Sequence, residues 1–165
     1  MDISKFQLGG EWLKLNIEGR KSLKVMVRPL SDKDQLEMAG TAKKEDMTLF
    51  LDEIKGLVLG WDLTEGKEPL ECNEVNKKKY LPYLINMTLE LTKEEALANE
   101  EIKDKRNELN SQIEKVKSET TDAELLKVLI GELKKKLIGL KEEDGKTVGL
   151  SILEFAQNFN NFIKN

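Results

Sequence analysis

The sequence predicts a mainly α-helical α+β protein, in which an N-terminal β-hairpin packs on a small helical core that carries an inserted antiparallel helical hairpin. Three observations indicate this class. Hydrophobic residues alternate with polar ones near the N-terminus, they recur at helical spacing along most of the remaining chain, and charge dominates a long internal segment. Charged residues make up 35% of the chain and hydrophobic residues 39%, so the core is expected to be thin.

The β-hairpin is predicted by two segments of period-two hydrophobicity, joined by a turn that holds Gly19. The alternating residues are Leu13, Leu15 and Ile17 in the first strand and Leu23, Val25 and Val27 in the second. Pro29 ends the pairing of the second strand because it has no amide proton. An isolated hairpin is marginally stable in water, so its hydrophobic face must pack on helices or on another chain.

Trp12 and Met26 fall on the other face of the two strands. Such a face is either a second buried layer or an exposed contact patch. Aromatic residues and methionine are enriched at protein interfaces. We therefore take Trp12 and Met26 as candidate partner-binding residues.

Helices follow the β-hairpin. Ser31 is suited to cap a short, weakly patterned helix that carries Leu36, Ala39 and Ala42. In the central core helix that comes next, hydrophobic residues form one stripe at i, i+3, i+4 spacing. That stripe consists of Met47, Phe50, Leu51, Ile54, Leu57, Val58 and Trp61. Glycines and a proline then indicate a loop at 60–70.

Two further helices complete the predicted core. Asn73 can cap a short helix, which Pro82 is expected to break or kink near residue 81. The final helix presents one hydrophobic face, formed by Val148, Ile152, Phe155, Ala156, Phe159, Phe162 and Ile163. We expect it to dock on the core helix and the β-hairpin, so that residues 1–83 and 147–165 form one β-hairpin and helical core.

Residues 84–146 are predicted to form a projecting, charged helical-hairpin arm. Thr121 and Glu124 have the spacing of a capping box that starts its second helix. Each helix carries a thin hydrophobic stripe, from which we take as candidate partner-binding residues Ile102, Leu109, Ile113, Leu126, Ile130 and Leu133. The alternative is that the two stripes pack only against each other.

The residue inventory argues against an enzyme. The chain has no histidine, which is the side chain most often used as a general base near neutral pH. Cys72, the one cysteine, lies beside Glu71 and near Glu74, and these acids oppose thiolate formation. The sequence holds neither a GxxxxGK[ST] phosphate loop nor a GxGxxG motif. We therefore expect no catalytic, cofactor-binding or metal-binding residues.

Charge and hydropathy bear on partners and location. The net charge is −4 with both signs finely mixed, so the basic stripe typical of nucleic-acid binding is missing. No run approaches the ~18 apolar residues that span a membrane, and the N-terminus lacks the pattern of a signal peptide. We expect a cytosolic protein that binds other proteins and can self-associate through the unprotected hairpin edge.

Four short segments resemble a known family when they are taken in order. They are 27–31 (VRPLS), 58–63 (VLGWDL), 66–73 (GKEPLECN) and 158–162 (NFNNF). Together with the β-hairpin that precedes them and the amphipathic helix between the first two, these segments resemble the tail assembly chaperones of long-tailed bacteriophages and prophages. The resemblance covers roughly residues 6–83 and 147–163. The charged arm departs from the compact pattern of that family.

The resemblance implies a protein of the infected bacterial cytoplasm. Its implied partners are the tape-measure protein, which it keeps soluble, and the tail-tube protein, whose polymerisation it assists. A helix-rich protein can cover the hydrophobic stripes of a long helical partner by packing a helix in a groove. The alternatives are a structural virion protein, such as a connector or tail-associated component, and a host-directed phage adaptor or inhibitor.

Overall fold

The computed structural model describes residues 9–36 and 47–163 and has the mainly helical α+β architecture that the sequence predicts. The strands are β1 (Glu11–Leu15), β2 (Leu23–Val27), β3 (Val58–Trp61), β4 (Thr64–Glu65) and β5 (Glu68–Pro69). The helices are α1 (Met47–Leu57), α2 (Glu74–Leu84), α3 (Lys93–Glu119), α4 (Ala123–Gly139) and α5 (Val148–Gln157), and a 3-10 helix (Phe159–Phe162) follows.

The predicted β-hairpin is confirmed. β1 and β2 pair antiparallel with Leu13 opposite Val25, and Gly19 lies in the connecting turn with a φ of +67°, which glycine adopts without strain. The side chains on the inner face of β2 are buried, while those between them are not. This alternation gives the sheet one face for the core and one outer face.

The sheet has a third strand that the sequence pattern concealed. β3 pairs antiparallel with β2 and carries one extra residue, Leu59, as a β-bulge. The bulge places the buried residues Val58 and Trp61 three positions apart, which is also the spacing of a helical face. The prediction that Val58 and Trp61 continue the core helix is therefore wrong, since α1 ends at Leu57.

The core forms where α5 packs against α1, β1 and β2, as the sequence predicts. Its largest fully buried side chains are Leu15, Val27, Ile54, Leu57, Val58, Leu81, Val148, Ile152 and Phe162. The prediction of one continuous last helix is wrong, because α5 ends at Gln157 and the chain turns at Asn158 into the 3-10 helix. That turn brings the ring of Phe162 edge-on to Phe155, with 5.4 Å between the ring centroids.

Helix α2 begins as predicted and ends differently. The side chain of Asn73 accepts a hydrogen bond from the Asn76 amide at 2.9 Å and so caps the helix. The predicted break near residue 81 is wrong, because α2 runs through Pro82 to Leu84. Pro82 lies in the last turn, and the carbonyl four residues before it belongs to the exposed residue Lys78, where water can replace the missing hydrogen bond.

Ser31 caps a short helical segment at residues 32–36, as expected. Its hydroxyl accepts a hydrogen bond from the amide of Asp34 at 3.2 Å, and the Asp34 carboxylate accepts one from the Ser31 amide at 2.7 Å. Leu36 is exposed. Ala39 and Ala42, which were assigned to the same helix, lie outside the described residues.

The chain divides into two compact units. Unit 1 comprises the residues up to Glu90 together with those from Gly145 onward, and unit 2 is Leu91–Asp144. The boundaries predicted at 83/84 and 146/147 therefore require correction. Unit 2 is shorter than the predicted arm at both of its ends.

The segment 84–90 belongs to unit 1 because its side chains pack in the core of that unit and its backbone hydrogen-bonds to it. Leu84 and Ile85 are buried in the hydrophobic core. The amide of Leu89 donates to the carbonyl of Lys146 at 2.8 Å. The charged composition of the following residues obscured this hydrophobic segment in the sequence.

Unit 2 is an antiparallel helical hairpin formed by α3 and α4. Asp122 caps α4 through hydrogen bonds from the amides of Glu124 and Leu125, so the predicted cap at Thr121 is one residue too early. Near the open end, Asn99 donates to the carbonyl of Glu143 at 2.9 Å and accepts from its amide at 2.8 Å. These reciprocal bonds account for the burial of the Asn99 amide.

Candidate protein-binding site

Trp12 and Met26 meet on the outer face of the sheet. They lie directly opposite each other on β1 and β2, and Gly60 of β3 lies opposite Met26 on the other side. Because Gly60 has no side chain, the Trp12 ring extends across the row, and its Cη2 atom lies 3.7 Å from the Cβ position that Gly60 lacks. Trp12 is 47% exposed, so this face is an exposed patch and not a second buried layer.

The β-bulge enlarges this patch. Leu59, the extra residue of β3, is 42% exposed on a chain position next to Gly60. Its Cδ1 atom lies close to Gly10, where an added Cβ would meet it at 2.9 Å and the Met26 Cγ atom at 3.2 Å. Trp12, Met26 and Leu59, with the two glycines between them, form one surface that we call the Trp12 patch.

Two lysines border the Trp12 patch. Lys14 and Lys24 are directly opposite each other in the β1–β2 register, and among the described residues neither forms an ion pair. Like charges at opposed positions destabilise a sheet slightly. With Trp12 and Asp62 they line a shallow cleft of about 430 Å³. This arrangement can receive a hydrophobic side chain that has an acidic neighbour.

Asp62 is largely engaged by the backbone of the same sheet. Its Oδ1 atom accepts a hydrogen bond from the amide of Lys24 at 2.8 Å, and its own amide donates to the Lys24 carbonyl at 3.1 Å. Trp61, one residue earlier, donates from Nε1 to the carbonyl of Leu70 at 2.7 Å. The GWD motif at 60–62 therefore shapes the outer sheet face through Gly60 and holds the β4–β5 hairpin through Trp61.

The other six candidate residues lie in unit 2, on the seam of the helical hairpin. Ile113 is buried, at 6% exposure, and does not present a surface to a partner. The remaining five are half-buried: Ile102, Leu109, Leu126, Ile130 and Leu133. Their partial burial fits side chains that pack between α3 and α4, because two helices alone leave the edges of a hydrophobic stripe exposed.

A second hollow lies in unit 1 beside the β4–β5 hairpin. It has a volume of about 550 Å³, and its lining is mainly hydrophobic: Leu63, Leu70, Tyr80, Tyr83, Leu84 and Met87. The charged groups along it are Glu65 and Lys79, and the Lys79 ammonium lies 4.7 Å from the centre of the Tyr80 ring. Such a lining suits a hydrophobic side chain better than proton-transfer chemistry.

Cys72 is half-buried, and burial raises the pKa of its thiol, with a smaller opposing effect from Lys77. A raised pKa keeps the sulfur protonated and weakly nucleophilic. Within residues 9–36 and 47–163, no three acidic or cysteine side chains converge on a point that could hold a metal ion. The described helices include none with the length and hydropathy to cross a membrane.

No family model matches the chain, and neither a curated protein nor a solved structure matches it. Function is therefore inferred from the surfaces themselves and from the resemblance of the short motifs. Of the surface residues, alternation along the strands identified Trp12 and Met26. The sequence pattern did not identify Leu59 and Gly60 as strand residues, because the bulge disturbs the alternation of the strand that carries them. A glycine inside a strand often marks a bulge, so Gly60 beside Trp61 could have indicated this strand.

Proposed function

We propose that the chain is a bacteriophage tail assembly chaperone, which binds the tape-measure protein in the host cytoplasm and assists tail-tube polymerisation. The observation that carries the proposal is the Trp12 patch, an exposed hydrophobic surface on the three-stranded sheet. The motifs in segments 58–63 and 66–73 support the proposal through their resemblance to that family.

The size and chemistry of the patch suit a temporary contact. Burial of a large hydrophobic side chain contributes roughly 1.5–3 kcal/mol, and the Trp12 patch offers three of them. A contact of that size holds a helical segment and still allows a competing protein to displace it. Lys14 and Lys24 favour a segment that carries acidic residues next to its hydrophobic stripe.

Co-expression with the tape-measure protein from the same genome tests the proposal. With the wild-type chain we expect the tape-measure protein to remain soluble and to co-purify. Trp12→Ser should reduce the co-purified amount roughly tenfold, as the loss of one large interface side chain does. Val75→Ser is the control, since Val75 is a hydrophobic residue of the same unit that is 75% exposed and lies on α2, outside the Trp12 patch.

Three results would contradict the proposal. Equal recovery of the tape-measure protein with Trp12→Ser and wild-type chains would place the contact elsewhere. Retention of the chain in purified virions at a fixed stoichiometry would favour a structural tail component. Capture of a host protein in place of the tape-measure protein would favour a host-directed adaptor.

A further inference from the structure

Helix α3 carries a large hydrophobic side chain that the hairpin does not bury. Leu97 is 60% exposed. Glu94 lies three residues before it and Glu101 four residues after it, so the three side chains share one face of the helix. Both glutamates are exposed. The result is a hydrophobic knob between two negative charges.

Helix α4 carries a surface of matching shape and opposite charge. Gly131 lies in the middle of the helix, and the space around its missing Cβ is open to at least 4 Å. Lys127 precedes it by four residues and Lys134 follows it by three, again on one face. Glycine weakens a helix interior, and no contact within unit 2 requires it here.

The hairpin does not use these four charges itself. Its ion pairs within the described chain are Arg106 with Glu142 at 2.8 Å and Lys117 with Glu114 at 3.1 Å. Glu94, Glu101, Lys127 and Lys134 form none. They are therefore free to pair with another chain.

We propose that α3 of one copy docks on α4 of a second copy, with Leu97 seated on the bare surface of Gly131. In a parallel arrangement opposite charges then face each other. At about 3.6 residues per turn, Glu94 and Glu101 lie on one flank of Leu97, and Lys127 and Lys134 lie on the flank of Gly131 that faces it. Glu94 then lies within one residue of the height of Lys127, and Glu101 within one residue of the height of Lys134. This inference is independent of the proposed tape-measure contact.

Charge reversal and rescue test the pairing in the full-length chain by sedimentation velocity. The wild type should self-associate at about 0.01 M salt, where electrostatic interactions extend over roughly 30 Å, and less at about 1 M salt. The double variant Lys127→Glu with Lys134→Glu should associate roughly tenfold more weakly, and so should Glu94→Lys with Glu101→Lys. An equimolar mixture of the two variants should recover the association, because each supplies the charges that the other has lost.

Two comparisons separate this contact from a general charge effect. Lys103→Glu with Lys136→Glu changes the net charge equally, at positions that share neither the Leu97 face of α3 nor the Gly131 face of α4, and should leave association at the wild-type level. Gly131→Gln should raise the helical stability of α4, since glutamine is the better helix former, and still weaken association by filling the surface that receives Leu97. A monomeric wild type at low salt, a mixture that does not recover association, or full association of Gly131→Gln would each overturn the proposal.

Discussion

The guanidinium group of Arg28 holds the carboxylate of Asp34 through two hydrogen bonds, from Nη1 to Oδ2 at 2.7 Å and from Nη2 to Oδ1 at 3.1 Å. Arg28 also donates from Nε to the carbonyl of Gly56, in the last turn of α1, at 2.8 Å. The chain segment after β2 is thereby tied to the end of α1. Arg28 belongs to the VRPLS segment, whose conspicuous arginine thus has a structural role.

This contact predicts a pH-dependent contribution to stability. The hydrogen bonds from Arg28, and to a smaller extent those from Ser31, hold the pKa of Asp34 well below its usual range. The carboxyl group of the unfolded chain titrates near pH ~3.9. The stabilisation is therefore fully present above about pH 4 and is lost as the pH falls toward the lower folded-state pKa.

Asp34→Asn should lower the free energy of unfolding at pH 7 by roughly 1.5–3 kcal/mol, the usual contribution of hydrogen bonds to a charged group. The difference from the wild type should shrink at pH 3, and urea unfolding at both pH values measures it. Asp32→Asn, two residues away and exposed, is the control and should change stability little. An Asp34→Asn effect of the same size at both pH values would contradict the assignment.

Trp61→Phe should destabilise unit 1. The substitution removes the indole N–H that donates to the Leu70 carbonyl at 2.7 Å and leaves a small cavity at a residue that is 8% exposed. The two losses together should cost about 1–3 kcal/mol, measurable by thermal or urea unfolding. An unchanged midpoint would show that the Trp61–Leu70 bond does not hold the β4–β5 hairpin.

Gly10→Ala and Gly19→Ala should differ, although both residues have positive φ angles, +97° and +67°. The space around Gly19 is open, so alanine there should cost only the backbone strain, about 1–2 kcal/mol. At Gly10 the added Cβ would also lie 3.0 Å from the carbonyl oxygen of Val27 and 2.9 Å from the Leu59 side chain. The Gly10 variant should be the less stable of the two in urea unfolding, and the reverse order would argue against close packing at the Trp12 patch.

Gly145→Ala should disrupt the place where the chain re-enters unit 1. An added Cβ would overlap the backbone carbonyl oxygen of Leu89 and approach the Thr88 side chain. The pairing of Leu89 with Lys146 should then open, and amide hydrogen exchange at Leu89 should accelerate. Gly139→Ala is the control, because the space around that residue is open and alanine favours the helix. Equal protection of the Leu89 amide in both variants would contradict this account.

Sequence periodicity correctly predicted those elements in which hydrophobic residues recur at one regular spacing from start to end. The alternation around Leu13 and Val25 identified the β-hairpin, and Asn73 marked the start of α2. The failures have local physical causes. A β-bulge at Leu59 gave β3 the spacing of a helix, and Pro82 sits so near the end of α2 that its missing amide does not break the helix.

The candidate site was predicted only in part, for a related reason. Trp12 and Met26 follow from the strand alternation, because opposed residues on one sheet face share their parity. Which face is exposed depends on where the helices pack, and that is a tertiary property. The acid–base match between Glu94 and Lys127 likewise becomes visible once the α3–α4 hairpin shows which charges it leaves unpaired.

The route by which α5 reaches the sheet has a consequence for biosynthesis. Residues 148–157 cover strands that lie at residues 11–27. The ribosome must therefore translate the intervening chain before the hydrophobic face of the β-hairpin can be buried. The α3–α4 hairpin relies on contacts between neighbouring segments and can form while elongation continues. During that interval the hydrophobic face of the nascent strands stays uncovered, and slower translation past residue 144 would lengthen its exposure to cellular chaperones and proteases.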